Sequence, residues 1–269
     1  MEKRFIIDTH THIFNNEIYD NYFKKANENI SDVLVMHDYD DGDLETFLDF
    51  AATKDNVHIV WSFTFKKEAK RQLKLLENLL KENKIKGIKL YPWYEHFYPS
   101  DESVYPLALL CAKYHKPLIF HIWDVNDAWN TAIMKYSHPI FVDELAVKFP
   151  KCNIIIAHFG FPYMLETANV VAKNANVYTD ISATIVDMGR HKSKWMLYKQ
   201  YLDDLTRVYM YFDIVRRKTM FATDYGGEHT PLNQVEPYID LVNELFDNRD
   251  YKHVCRNLAI KLFWWWKYD

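Results

Sequence analysis

Glycine is scarce in this chain, with six among 269 residues. Positions that demand a left-handed backbone are therefore few, and any glycine standing beside a motif is informative. Cysteine is scarcer: Cys111, Cys152 and Cys255 are odd in number, far apart, and form no C-x-x-C pair. That argues against a disulfide framework and fits reduced thiols buried as small core residues of a cytosolic protein. No apolar stretch approaches the roughly 18 residues of a membrane span. The opening Met-Glu-Lys-Arg runs straight into a strand pattern, without the apolar segment of a secretory signal. A soluble, cytoplasmic protein is expected. Charge of one sign is also lacking, since 33 basic residues face 37 acidic ones for a net charge of −4, and no basic run occurs. Neither nucleic acid nor an anionic membrane is an expected partner. With no linker or low-complexity tract, residues 1–269 read as a single domain, and 49% hydrophobic residues supply its core.

What is present is a rhythm of short β-branched runs separated by helical periodicity. Eight runs occur, at residues 4–12, 31–37, 58–65, 85–91, 117–123, 153–158, 177–182 and 219–224. The first four start 27 residues apart, about the length of a strand, a turn and a helix. Several are almost continuously apolar, such as Asn153-Ile-Ile-Ile-Ala-His158, which suits parallel strands covered on both faces. Between the third and fourth runs, Ala69, Leu73, Leu76 and Leu80 recur at helical spacing with Lys and Glu opposite. Ser100, Asp101 and Glu102 read as a capped helix start, and Pro117 closes that helix before the next strand. Helices are also expected over 43–54, 139–149 and 161–173. The stretch 188–218 is long and rich in Trp, Tyr, Met and Arg, so an extra helix acting as a lid is expected between strands seven and eight. Residues 235–266 read as one or two helices ending in Trp264, Trp265 and Trp266, either a subunit contact or a last helix packed on the barrel bottom. The pattern predicts an α/β fold, a (β/α)8 TIM barrel, whose functional groups sit at the C-terminal ends of the strands.

The polar residues follow that rule. His10 and His12 stand two apart at the end of strand one, so both imidazoles point the same way and could grip one ion, though two polar residues at a strand end would look the same. Asp8 lies on the same side and is expected to orient a histidine. Lys89, His121, His158, Asp180 and Asp224 each follow apolar core residues at the ends of strands four to eight. Tyr91, Trp93, Trp123 and Asp124 follow strand ends and are expected to shape a pocket, with aromatic walls suited to a ring or planar substrate.

These residues carry a resemblance. Asp-Thr-His-Thr-His at 8–12, Gly-Ile-Lys-Leu-Tyr-Pro at 87–92, Phe-His at 120–121, Ala-His-Phe-Gly at 157–160 and Ala-Thr-Asp-Tyr at 222–225 resemble the amidohydrolase superfamily. More narrowly they are similar to the amidohydrolase-related branch, which includes aminocarboxymuconate semialdehyde decarboxylase and many uncharacterised metal-dependent hydrolases. The closing Asn257-Leu-Ala-Ile-Lys-Leu-Phe263 is similar to that branch as well. The resemblance implies His10, His12 and His121 as metal ligands, Asp224 as ligand and proton shuttle, and His158 as a catalytic residue near the metal-bound water. It implies a divalent ion, Zn²⁺ first, with Mn²⁺ or Fe²⁺ as alternatives. Lys89 is expected to bind a substrate carboxylate or serve local structure, with a bridging carbamate as the other reading. Asp180 is expected to make a structural hydrogen bond or to take part in catalysis. Two departures fall in substrate-facing loops: no arginine follows strand one or two, and Tyr-Gly-Gly-Glu follows Asp224 where the branch often has a proline. They favour hydrolysis of an ester, lactone or amide of a small molecule over nonoxidative decarboxylation of an aromatic or dienoic acid. A non-catalytic metal-binding barrel is the third reading, and a homodimer is the expected assembly.

Overall fold

A computed structural model describes residues 6–26, 29–37, 44–123, 131–185, 194–226 and 234–264. Eight strands are present: β1 Ile6–Thr11, β2 Ile30–Met36, β3 Val57–Ser62, β4 Ile88–Leu90, β5 Leu118–Phe120, β6 Ile154–Ile156, β7 Val177–Asp180 and β8 Thr219–Met220. All pair in parallel and in chain order. Thr9 donates its backbone N–H to the Phe221 carbonyl (3.1 Å), Asp224 to that of His10 (2.8 Å), and His12 to that of Tyr225 (2.7 Å). Those bonds bring the last strand round to the first. The fold is the expected (β/α)8 barrel, in one domain.

Several strands are shorter than the apolar runs. The run at 219–224 pairs with β7 only over Thr219–Met220, while Phe221 and Asp224 bond to β1; Asp224 has a φ of 64°. Helices cover the barrel exterior: α1 Asn16–Ala26, α2 Leu44–Ala52, α3 Ala69–Lys81, the one-turn α4 Pro92–Glu95, α5 Tyr105–Tyr114, α6 Ile140–Lys148, α7 Met164–Lys173, α8 Lys194–Tyr211, α9 Glu236–Leu245, α10 Asn248–Lys252 and α11 Leu258–Phe263. The apolar stripe of α3 faces inward, with Leu76, Leu79 and Leu80 buried. The expected cap at Ser100 to Glu102 takes another form. The Asp101 carboxylate accepts the backbone N–H of Tyr98 (2.8 Å), and a short 3-10 turn, Glu102–Val104, leads into α5.

The helix expected between strands seven and eight is α8. It packs between α7 and α9 in the outer ring, where Tyr201 donates to the Ile181 carbonyl (3.2 Å) and Tyr209 to Thr219 Oγ1 (3.2 Å). Residues 188–193, the part of the expected lid nearest β7, lie outside the described residues, as does Asp124. The end of the chain is three short pieces, α10, a π turn at His253–Asn257, and α11. Alternate residues of the strands, among them Ile7, Leu34, Val60, Ile119, Ile155, Tyr178 and Met220, form one buried cluster with Leu258, Leu262, Phe263 and Trp264. Lys116, just before β5, donates to the Phe263 carbonyl (2.7 Å), and Trp264 packs edge-on to His58. α11 therefore closes the barrel at the N-terminal ends of the strands, which answers for Trp264 the choice left open in the sequence. Trp265 and Trp266 lie outside the described residues. Cys111, Cys152 and Cys255 are buried and form no disulfide. Among the described residues, no helix is long and apolar enough to cross a membrane.

Candidate functional site

The period of two that fills the barrel with apolar side chains carries on to the polar rim. Ile119 points inward, and so does His121 two residues later; Tyr178 points inward, and so does Asp180. The same logic places Lys89 within β4. His10, Lys89, His158 and Asp180 are at most 2% exposed, and His12 and Asp224 are 7% exposed. Titratable groups taken this far out of water must be paired.

His10 is the hub. Its Nδ1 faces Asp180 Oδ2 at 3.4 Å. Its Nε2 lies 2.6 Å from Lys89 Nζ and 3.3 Å from Asp224 Oδ1. His12 Nε2 approaches that same Asp224 oxygen at 3.2 Å. Ligand atoms of His10, His12 and Asp224 lie within 4.8 Å of one another, and so do those of His10, His158 and Asp180. Either set could hold a metal ion. His121 belongs to neither: its Nδ1 faces His158 Nε2 at 3.1 Å, and its ring stacks near Trp93, with 5.5 Å between centroids. The Tyr91 ring lies 5.1 Å from that of His121, and the Trp123 ring 5.5 Å from that of His158. Among the described residues, the structure thus gathers the expected site residues at one end of the barrel, with the aromatic side chains around His121 and His158.

Burial pushes the pKa of His10 well below that of a free imidazole, and the Lys89 charge adds to the effect. Burial does the same to His158, reinforced by His10 and His121. For Asp224, burial raises the pKa, but the hydrogen bond from His12 and the nearby charges of His12, His10 and Lys89 outweigh it and hold the carboxyl below its usual range. Burial raises the pKa of Asp180, opposed by bonds from Ser182 and His158.

Asp8 does not orient an imidazole. It accepts from the His10 backbone N–H (3.3 Å), from Tyr22 Oη (2.7 Å), and from Thr223 N (3.1 Å) and Oγ1 (2.7 Å). Burial lifts its pKa to about 7. Its work is to tie β1 to the segment carrying Asp224, whereas the carboxylate facing His10 Nδ1 is Asp180, 170 residues away in sequence. Ser182 and Tyr22 went unremarked in the sequence. Ser182 had a signal, standing two residues after Asp180 and so on the same face; Tyr22 had none beyond helical periodicity.

The backbone here is unusual. His158 and Phe159 have φ of 59° and 50°, and Asp224 has 64°, values that side chains larger than glycine adopt rarely and at functional sites more than elsewhere. Gly160 completes the left-handed run at φ 61°, where an added Cβ would overlap Thr167 Oγ1. Gly226 (φ 87°) lets the chain pass the His12 carbonyl, which an added Cβ would meet at 2.5 Å.

The donor set fits a divalent ion. Two imidazole nitrogens and a carboxylate oxygen converge, and the second nitrogen of His10 faces a carboxylate, as that of a metal-binding histidine commonly does. One group crowds it. Lys89 Nζ lies 2.6 Å from His10 Nε2, the nitrogen that an ion would use.

A family model described as Amidohydrolase matches residues 64–236, which carry Lys89, His121, His158, Asp180 and Asp224. No curated protein matches the sequence. Solved structures match over nearly their whole length. An uncharacterised TIM-barrel protein from Bordetella bronchiseptica is 15% identical, with 96% of this chain and 97% of that chain covered and a TM-score of 0.67. A probable 2-pyrone-4,6-dicarboxylic acid hydrolase from Acinetobacter baumannii is 13% identical (96% and 98% covered, TM-score 0.66). A 5-carboxyvanillate decarboxylase from Sphingomonas paucimobilis is 12% identical (97% and 99% covered, TM-score 0.63). At such identities these structures share the fold with this chain. The family match spans more than half the sequence and takes in the rim residues of strands four to eight, so the chain belongs to the amidohydrolase family and is an enzyme of that superfamily.

Proposed function

We propose that this enzyme hydrolyses an ester, lactone or amide bond of a small molecule at a divalent-metal site formed by His10, His12, His121 and Asp224. The observation that carries the reading is the approach of His10 Nε2 and His12 Nε2 to one oxygen of Asp224, at 3.3 and 3.2 Å. When bound, a zinc ion at such a site lowers the pKa of water toward about 7 and polarises a carbonyl. Manganese or iron would serve in the same place. Asp224, held as a carboxylate, accepts the proton of the attacking water and returns it to the leaving group. Tyr91, Trp93 and Trp123 offer flat apolar walls that hold a planar substrate and exclude bulk water. Lys89 supplies a buried positive charge for an anionic group of the substrate or for the oxyanion that develops on the carbonyl. The buried cysteines, which form no disulfide, fit a reducing compartment, and we place the enzyme in the cytoplasm.

Lys89 also favours a second reading. A buried ammonium beside the ligands is the counter-charge that a substrate carboxylate needs, and decarboxylases are among the proteins sharing this fold. The discriminating experiment depletes the protein of metal, reloads it with Zn²⁺ or Mn²⁺, and follows carbonyl hydrolysis and CO₂ release side by side on aromatic esters, lactones, amides and carboxylic acids. Hydrolysis that returns with metal and is lost in His10→Ala supports the proposal. CO₂ release without hydrolysis transfers the assignment to decarboxylation, and full activity with full metal content in His10→Ala removes the site altogether.

A further inference from the structure

We propose that Asp180 and Ser182 are positioning residues that fix which nitrogen carries the proton in His158, His121 and His10, so that His158 holds His121 in place and does not donate to substrate. The inference rests on the reading that His10 and His121 bind the ion. It begins from three donors converging on a single oxygen. Asp180 Oδ1 accepts from the backbone N–H of His158 (3.0 Å), the backbone N–H of Ser182 (3.1 Å), and the Ser182 hydroxyl (2.5 Å). A hydroxyl has one proton to give. With that proton on Asp180, Ser182 Oγ can only accept from its other neighbour, His158 Nδ1, at 2.8 Å. A neutral His158 therefore carries its proton on Nδ1 and presents a lone pair at Nε2.

That lone pair faces His121 Nδ1 at 3.1 Å, so the proton between them belongs to His121. His121 Nε2 is then the nitrogen with a lone pair, and on the proposed metal reading it is the ligand atom. His10 reaches the same state by a separate route: its Nδ1 faces Asp180 Oδ2 at 3.4 Å, and a carboxylate only accepts, so the ring proton of His10 lies on Nδ1. One carboxylate thus terminates both chains of donors, a short one from His10 and a long one from His121 through His158 and Ser182. On this proposal, the catalytic role near the metal-bound water that the resemblance implies for His158 gives way to a structural bond with a ligand. One competing arrangement exists. A protonated Asp180 would donate to Ser182, Ser182 to His158 Nδ1, and His158 Nε2–H to His121, which reverses every bond of the longer chain.

Nitrogen-15 spectra of the histidine rings in metal-free, uniformly labelled protein at pH 8 separate the two, with resonances assigned from single His→Gln variants. We expect His158 with a protonated Nδ1 and a bare Nε2. A His158 protonated on Nε2 overturns the proposal, and this wild-type measurement needs no variant to fold. In Ser182→Ala the Nδ1–H form should give way to a mixture, with a loss of roughly 10–100-fold in Zn²⁺ affinity, the usual cost of removing an outer partner of a ligand. Ser182→Thr, which keeps the hydroxyl, should restore both. Wild-type tautomers in Ser182→Ala, with only thermal stability reduced, would show a merely structural serine and overturn the inference. Tautomers as assigned in a wild-type protein that binds no Zn²⁺ would sustain the relay and overturn the metal site instead.

Discussion

Replacing Lys89 with methionine tests how a cation can enter a site that already contains one. The Lys89 ammonium lies 2.6 Å from His10 Nε2, the atom a metal would bind at about 2.0–2.1 Å. Ion and ammonium cannot share that lone pair, so binding must push Lys89 aside or strip its proton. Two unit charges 4 Å apart at an effective dielectric near 20 repel by ~4 kcal/mol. Rotation of the side chain and relaxation of its surroundings remove much of this. If a quarter remains for each unit of the ion's charge, the residual penalty is ~2 kcal/mol, or more than tenfold in Kd. Methionine keeps the unbranched apolar stem and deletes the charge. Zn²⁺ titrated against a competing chelator at fixed pH should therefore bind Lys89→Met at least tenfold more tightly than wild type, while turnover falls because the substrate loses its counter-charge. Unchanged affinity would refute the electrostatic reasoning. Weaker binding would refute it more sharply, because it would make Lys89 itself a ligand.

Tyr22→Phe removes the hydroxyl that donates to the buried Asp8 carboxyl at 2.7 Å, and a lost bond of that kind costs about 1–3 kcal/mol. The midpoint of urea unfolding should fall with an unchanged slope, and a loss under about 0.5 kcal/mol would show that Asp8 is held adequately by Thr223 and the His10 backbone N–H. At the other end of the barrel, burial lowers the pKa of Lys116 from 10.5 to about 8. The folded value lies below the unfolded one, so between pH 8 and 10.5 the unfolded chain binds more protons and stability rises with pH; it is lost again as pH falls toward 8. The slope ceiling is ~1.4 kcal/mol per pH unit. Partial solvation of the ammonium and its bond to the Phe263 carbonyl reduce the whole effect to ~2 kcal/mol. Lys116→Met should flatten this part of the stability profile, and an unaltered slope would exclude Lys116 as its source.

How much of the molecule could be read in advance depends on how local the governing physics is. Apolar runs such as Ile154-Ile155-Ile156 must be covered on both faces wherever they lie, and the stripe of α3 must find a core, so strands, helices and their alternation followed from spacing. The period of two carried His121 and Asp180 to the rim for the same reason. Strand ends were less legible: of the 219–224 run only Thr219–Met220 forms the strand paired with β7, and nothing local foretells the φ of 64° at Asp224. Asp8 and Asp180 illustrate the limit. Both were visible as carboxylates near histidines, and sequence proximity assigned the orienting role to Asp8.

The sequence by itself determined the barrel and the membership of the rim, because side-chain period and burial act over a few residues at a time. Only the tertiary structure decided the pairings within that rim: Asp180 with His10, His158 with His121, Lys89 against His10, and Asp8 with Thr223. Those contacts join residues from 37 to 215 positions apart. Which donor meets which acceptor at such separations is set by strand register and barrel closure, and no local pattern carries that information.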